Sequence, residues 1–167
     1  MDERYELKEV NLLSAISMGE PGKRTFFLIM GDKDEWVRVW LEKEQLEALG
    51  MAVDQFLHTI SQEYHREPSH SEGPPLSNEI PKVMPTVELG IDQITIGFDE
   101  DKATIGILVH PVGPQKVDWT EIYCWASLAQ LEKLGEEAKA LCEAGRPRCV
   151  FCGGPIDPEG HICPKNN

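Results

Sequence analysis

The chain has 167 residues and a mass of 18.8 kDa, and it carries a net charge of −13 from 16 Lys+Arg against 29 Asp+Glu. That length suits one domain able to bury its own core, and 41% hydrophobic with 27% charged residues is globular rather than disordered composition. The acidic balance argues against whole-surface attraction to duplex DNA or to an anionic membrane.

No stretch approaches the roughly 18 consecutive apolar residues of a membrane span. Met1-Asp2-Glu3-Arg4 does not open a secretory leader. Of five cysteines, three cluster at 149, 152 and 163, which points to metal rather than disulfide chemistry and to a cytoplasmic protein.

Taken in chain order, apolar residues between 5 and 17 lead to the turn signal Gly19-Glu20-Pro21-Gly22, a hairpin pattern. Arg24 to Met30 is a rich strand former, Gly31-Asp32-Lys33-Asp34 a turn, and Trp36 to Trp40 a third strand. From Glu42 the period changes. Leu46, Leu49, Val53, Phe56, Leu57 and Ile60 make the apolar stripe of a helix reaching about Tyr64. Residues 65–85 are rich in proline and read as a linker loop.

The order then recurs. Residues 87–90 and 94–98 predict a strand with a bulge near a glycine. Asp99-Glu100-Asp101-Lys102 predicts a turn, with strands at 103–109 and 122–125 beyond it. A helix follows with Leu128, Leu131, Leu134, Ala138, Leu141 and Cys142 on one side, stopped by Gly145 and Pro147. The segment starting at Trp40 also aligns in letters with that starting at Trp125. Trp40, Gln45, Leu46, Glu47, Leu49 and Gly50 coincide with Trp125, Gln130, Leu131, Glu132, Leu134 and Gly135. The expectation is an α+β fold. Two strand-strand-strand-helix units, 1–64 and 86–145, share an antiparallel sheet and one core. The linker 65–85 joins them and a small knuckle, 146–167, follows.

The knuckle carries the strongest chemistry. Cys149, Cys152, His161 and Cys163 have the spacing Cys-x2-Cys-x8-His-x-Cys. Two cysteines three apart on a turn grip adjacent corners of a tetrahedral ion. Gly153-Gly154 lets the chain turn beyond them, and Asp157-Pro158-Glu159-Gly160 returns His161 and Cys163 on an extended segment facing the same way. Three thiolates and an imidazole satisfy Zn²⁺ with no open position, so the expected role is structural. Cys142 competes with His161 as fourth ligand. A redox Cys-x-x-Cys is the bland alternative.

Other signals are weaker. Lys23, Arg24 and Arg146 are candidate anion ligands, although Gly22-Lys23-Arg24-Thr25 lacks the full phosphate-loop pattern and precedes a strand. The acidic run at 99–101, with Asp92 nearby, lacks calcium-loop spacing and reads as a solvated turn. His58 reads as a surface side chain, His65 and His70 as solvated linker residues, and His110 as a strand end with no nucleophile near in sequence. Cys124 reads as core. Trp36, Trp40, Trp119 and Trp125 read first as packing residues and second as a stacking surface.

Gly19-x-Pro21-Gly22-x-Arg24-Thr25-Phe26, Leu41-Glu42-Lys43-x-Gln45, Ala144-Gly145-Arg146-Pro147-x-Cys149-x2-Cys152 and Asp157 through Cys163 together resemble the bacterial domain-of-unknown-function family numbered 3090. The likeness covers nearly the whole chain and is most specific at the C-terminal run. It implies no assigned activity. It implies at most a pathway shared with a lipid-kinase-like and a histidine-phosphatase-like protein. Architecture alone is also similar to the PUR-repeat and Whirly proteins, which bind single-stranded nucleic acid on basic, aromatic sheet faces. Both units here are net acidic, which argues against nucleic acid as partner.

Three functions therefore compete. The leading one is a non-enzymatic, zinc-stabilised interaction or regulatory module with a protein partner. The others are a single-strand-binding protein, and an enzyme or sensor for a phosphorylated small molecule held by Lys23 and Arg24. A pocket joining Arg24 to His110 or Asp99 would favour the last of these.

Overall fold

The computed structural model describes residues 4–20, 22–69, 79–112 and 121–144. The elements are β1 (Arg4–Glu9), β2 (Leu12–Met18), β3 (Thr25–Gly31), β4 (Trp36–Leu41), α1 (Lys43–Tyr64), β5 (Val87–Asp99), β6 (Thr104–Pro111), β7 (Glu121–Ala126) and α2 (Leu128–Ala144). The architecture is α+β. Strand β3 is buried on both faces beyond Thr25, as its unbroken apolar run requires. Strand β7 alternates, with Ile122, Cys124 and Ala126 buried and Tyr123 and Trp125 half-buried between them.

The seven strands form one sheet in the order β1-β7-β6-β5-β4-β3-β2. Within each unit the pairing is antiparallel. The seams β4–β5 and β7–β1 are parallel. The sequence pattern does not carry this refinement. The β4–β5 seam follows from the helical crossover after β4, which returns the chain in the same direction.

The predicted first strand is divided. Residues 4–9 pair with β7 at one end of the order, and residues 12–18 pair with β3 at the other. Val10 and Asn11 join the two. The Val10 N–H donates to the Trp125 carbonyl at 3.0 Å, and the Asn11 N–H donates to the Gly31 carbonyl at 3.2 Å. The two ends of the strand order therefore meet at this pair of residues, and the order closes into a ring. Strand β5 does the same work without a break. Val87–Gly90 pair with β4, and the residues from Ile91 onward pair with β6. The register shift falls between Ile91 and Gln93, just after Gly90.

One core serves both units. Leu28, Met30, Val37 and Val39 from the first lie in it with Ile105, Val109, Ile122 and Cys124 from the second. Leu46 and Val53 of α1 and Leu131 and Leu134 of α2 close it. The helices start alike. Gln45 accepts from the Glu42 N–H (2.7 Å) and donates to the Ile91 carbonyl (3.0 Å). Gln130 accepts from the Ser127 N–H (2.8 Å) and donates to the Val10 carbonyl (2.6 Å). Each glutamine thus caps its helix and pins the point where a long strand passes from one unit to the next. The helices touch at Gly50 and Gly135. A Cβ on Gly135 would lie 2.7 Å from Val53 Cγ1, so the missing side chain permits the close approach.

Candidate functional site

The outer faces of the two units can be compared row by row, because the register is known in both. In the first unit Trp40 lies beside Phe27, which lies beside Ile16. In the second, Trp125 lies beside Gly106, which lies beside Gly97. The next row reads Arg38, Ile29, Ser14 in the first unit and Tyr123, Leu108, Thr95 in the second. One row is filled with Phe and Ile in the first unit and emptied to two glycines in the second.

The consequence is a shallow hollow of about 520 Å³ on the second unit. Gly97 and Gly106 form its floor, Tyr123, Trp125, Leu108 and Thr95 its walls, and Asp99 and Glu100 its rim. The two glycines have different reasons. A Cβ on Gly106 would meet the Tyr123 hydroxyl at 2.8 Å and Trp125 Cζ3 at 3.4 Å, so the leaning rings account for it. A Cβ on Gly97 would meet no described atom within 4 Å. Glycine inside a strand weakens it and often marks a close approach by something else.

The Tyr123 and Trp125 rings stand edge to face, with centroids 5.2 Å apart and planes at 84°. Arg4 Cζ lies 5.5 Å from the Tyr123 centroid, and Lys102 Nζ lies 5.7 Å from the Trp125 centroid. Arg4 also pairs with Glu121 at 3.0 Å. Asp99 accepts the Lys102 N–H at 3.1 Å, which forms the turn expected for the acidic run. Burial raises the Tyr123 hydroxyl above its ordinary pKa. Arg4 opposes that rise, and Cys124, Glu6 and Asp99 add to it.

The matching face of the first unit is closed. Phe27 is buried and lies under Arg38, whose Cζ is 5.2 Å from the ring centroid and whose guanidinium pairs with Glu88 at 2.9 Å. Leu12, Ile29 and Trp36 form a small second cluster. Its Trp36 Nε1–H donates to the Val83 carbonyl at 2.9 Å, so the linker is tied to this face.

The sequence candidates fall in several places. Arg24 lines a cleft of about 360 Å³ with Trp40 and the start of α1, and Glu42 and Glu44 line it too. Those carboxylates weaken an anion site there. The Lys23 N–H closes the hairpin turn on the Glu20 carbonyl at 2.9 Å. His110 sits 3.7 Å from Glu121, at the far end of β6 from Thr104 and the β5–β6 turn. Neither His110 nor Asp99 lines the Arg24 cleft. Asp92 lines clefts apart from the 99–101 turn. His58 and His65 are exposed. Cys124 is buried, and burial pushes its thiol up to about 12. Cys142 is buried in α2, with its sulfur 3.9 Å from the Lys43 carbonyl. Cys149, Cys152, His161, Cys163, Arg146, His70 and Trp119 lie outside the described residues. Among the described residues no group of three or more His, Cys, Asp or Glu could hold a metal, and no helix is long and apolar enough to cross a membrane.

A larger cleft, about 670 Å³, also has Trp125 in its lining. Residues from the start of the linker (His65, Arg66, Glu67) line it with Lys102 and the first turn of α2. Glu9 and Glu67 offset its basic side chains, and Ser127 in its lining accepts the Gln130 N–H on its hydroxyl at 3.1 Å.

Fold and site together define a class: a two-repeat α+β domain with its strand order closed, one repeat face filled and the other left open. The chain belongs to the DUF3090 family, described as a protein of unknown function, whose model matches residues 5–163. No curated protein and no solved structure matches the chain.

Proposed function

We propose that this chain is a non-enzymatic interaction module of the bacterial cytoplasm that docks a protein partner on the open face of its second unit. The observation that carries this reading is the emptied row at Gly97 and Gly106, where the first unit has Ile16 and Phe27. Packing among the described residues accounts for Gly106 but not for Gly97. A repeat fold that fills one copy of a position and empties the other departs from its own pattern, and such departures mark function.

A zinc ion on Cys149, Cys152, His161 and Cys163 would order the C-terminal segment, which is too short to bury a core of its own. His161 is the preferred fourth ligand on spacing, with Cys142 the competitor. The sensor reading for a phosphorylated molecule is weaker. Its residues, Lys23, Arg24 and Arg146, would need a net positive site, and Glu42 and Glu44 border the Arg24 cleft.

A photo-crosslinking residue placed at Thr95 in the full chain tests the docking face, with one at the exposed Met51 of α1 as control. The expected result is a discrete adduct in cells from Thr95, absent from Met51 and lost when Gly97→Val is added. Equal adducts at both positions, or none at Thr95, would overturn the reading.

A further inference from the structure

We propose that the hollow receives the guanidinium of an arginine carried on a basic segment of the protein partner. This rests on the docking reading above and names the chemistry of its ligand.

Three observations converge. The walls are aromatic, and a ring face attracts a cation. The molecule already uses both rings in this way, with Arg4 over Tyr123 and Lys102 over Trp125. The rim is anionic. Asp99 and Glu100 line the hollow, whereas Arg4 and Lys102, which stand against its ring walls, do not, and the whole chain carries −13, so a positive ligand gains from the lining and from the long-range field. The floor is bare at Gly97, where no described atom lies within 4 Å of a Cβ, while the two rings lean over Gly106. A flat group can lie on the backbone at Gly97, against the rings, with its edge toward the rim carboxylates. Guanidinium combines planarity, permanent charge and a fork of donors suited to carboxylates. A nucleobase would also fit the floor and rings, but its phosphates would meet Asp99 and Glu100. Fold analogy to single-strand binders therefore fails here on charge.

The test is a titration of the full chain followed by the indole signals in a proton–nitrogen NMR spectrum. The probes are the peptide Gly-Arg-Gly-Arg-Gly, its glutamate counterpart, and a thymine dodecanucleotide. The expected result is saturable binding of the arginine peptide with a shift of the Trp125 indole, and no binding of the other two. Gly97→Val should weaken binding about tenfold or more, the range set by losing a cation–aromatic contact. The pair Asp99→Asn with Glu100→Gln should weaken it several-fold and flatten its salt dependence. Asparagine at 99 keeps an acceptor for the Lys102 N–H, so this pair tests the rim even if the valine variant fails to fold. Failure of the arginine peptide to bind, equal binding by both variants, or saturable binding of the oligonucleotide would each overturn the assignment. If the Thr95 adduct persists while the peptide fails, the ligand chemistry is wrong and the docking face stands. If both fail, the docking reading falls with it.

Discussion

Gln130 is 2% exposed, and its side chain satisfies the first N–H of its own helix region and the carbonyl of Val10. Replacing it with leucine strands both groups. Two orphaned buried partners predict a loss of about 2–4 kcal/mol, read as a lower denaturation midpoint. Gln45 makes the same bonds at a less buried site, so Gln45→Leu should lose less. Two other side chains set the alkaline limit. Burial pushes Cys124 up to about 12, and burial with the Glu35 hydrogen bond and charge pushes Tyr5 up to about 12. Their ordinary values are 9.0 and 10.0. The unfolded chain therefore loses these protons first, so stability should hold below pH 9 and fall between pH 9 and 12. Thermal melts across that range check it. A midpoint flat to pH 12 would contradict the burial of the thiol.

At the scale of elements, the letters shared by the two helix starts each have a place. Gln45 and Gln130 pin the strand crossings, Leu46 and Leu131 are fully buried, and Gly50 and Gly135 set the helix contact. Asp54 and Lys139 occupy equivalent turns and pair at 2.8 Å, but both are exposed and the pair contributes little. Gly135→Ala should destabilise rather than help, by about 1–3 kcal/mol, because the new methyl meets Val53 at 2.7 Å. In a Val53→Ala background the same change should become neutral or favourable. Urea titration of the four proteins measures the coupling. An additive result would mean the helices part freely at this contact.

Much of this was legible in the sequence. Period changes at Glu42 and Leu128 located both helices, and the shared Trp, Gln and Gly revealed the repeat. The division of the first strand was not legible. Residues 5–17 read as one apolar run, and only hydrogen bonding shows that Val10 and Asn11 bond to opposite ends of the sheet. The hollow was missed for a related reason. Gly97 read as a bulge candidate and Trp125 as a packing residue. Setting Gly97 against Ile16 needs the strand register, and gaps between the repeats hide it upstream of the helices.

At the scale of the whole molecule, one shared core and a closed strand order make the described domain a single cooperative unit. Elemental mass spectrometry on protein purified without added metal should find one zinc per chain. Cys149→Ser with Cys152→Ser should lose it. The melting of the domain should persist, because the helix residues that close the core, Leu46 and Val53 with Leu131 and Leu134, all precede the cysteine run. Metal-free reduced protein would remove the knuckle and leave the open face as the sole functional proposal.

The central claim is that Gly97 is kept for a partner and not for the fold, and the melting temperature of Gly97→Val tests it most directly. Valine suits an exposed strand position, and glycine there costs about 0.5–1 kcal/mol. With no described atom within 4 Å of the new Cβ, the substitution should raise the midpoint by about 2 °C in a chain of this size. A midpoint lowered by several degrees would show that the fold itself requires glycine at 97, and the hollow would lose its functional meaning.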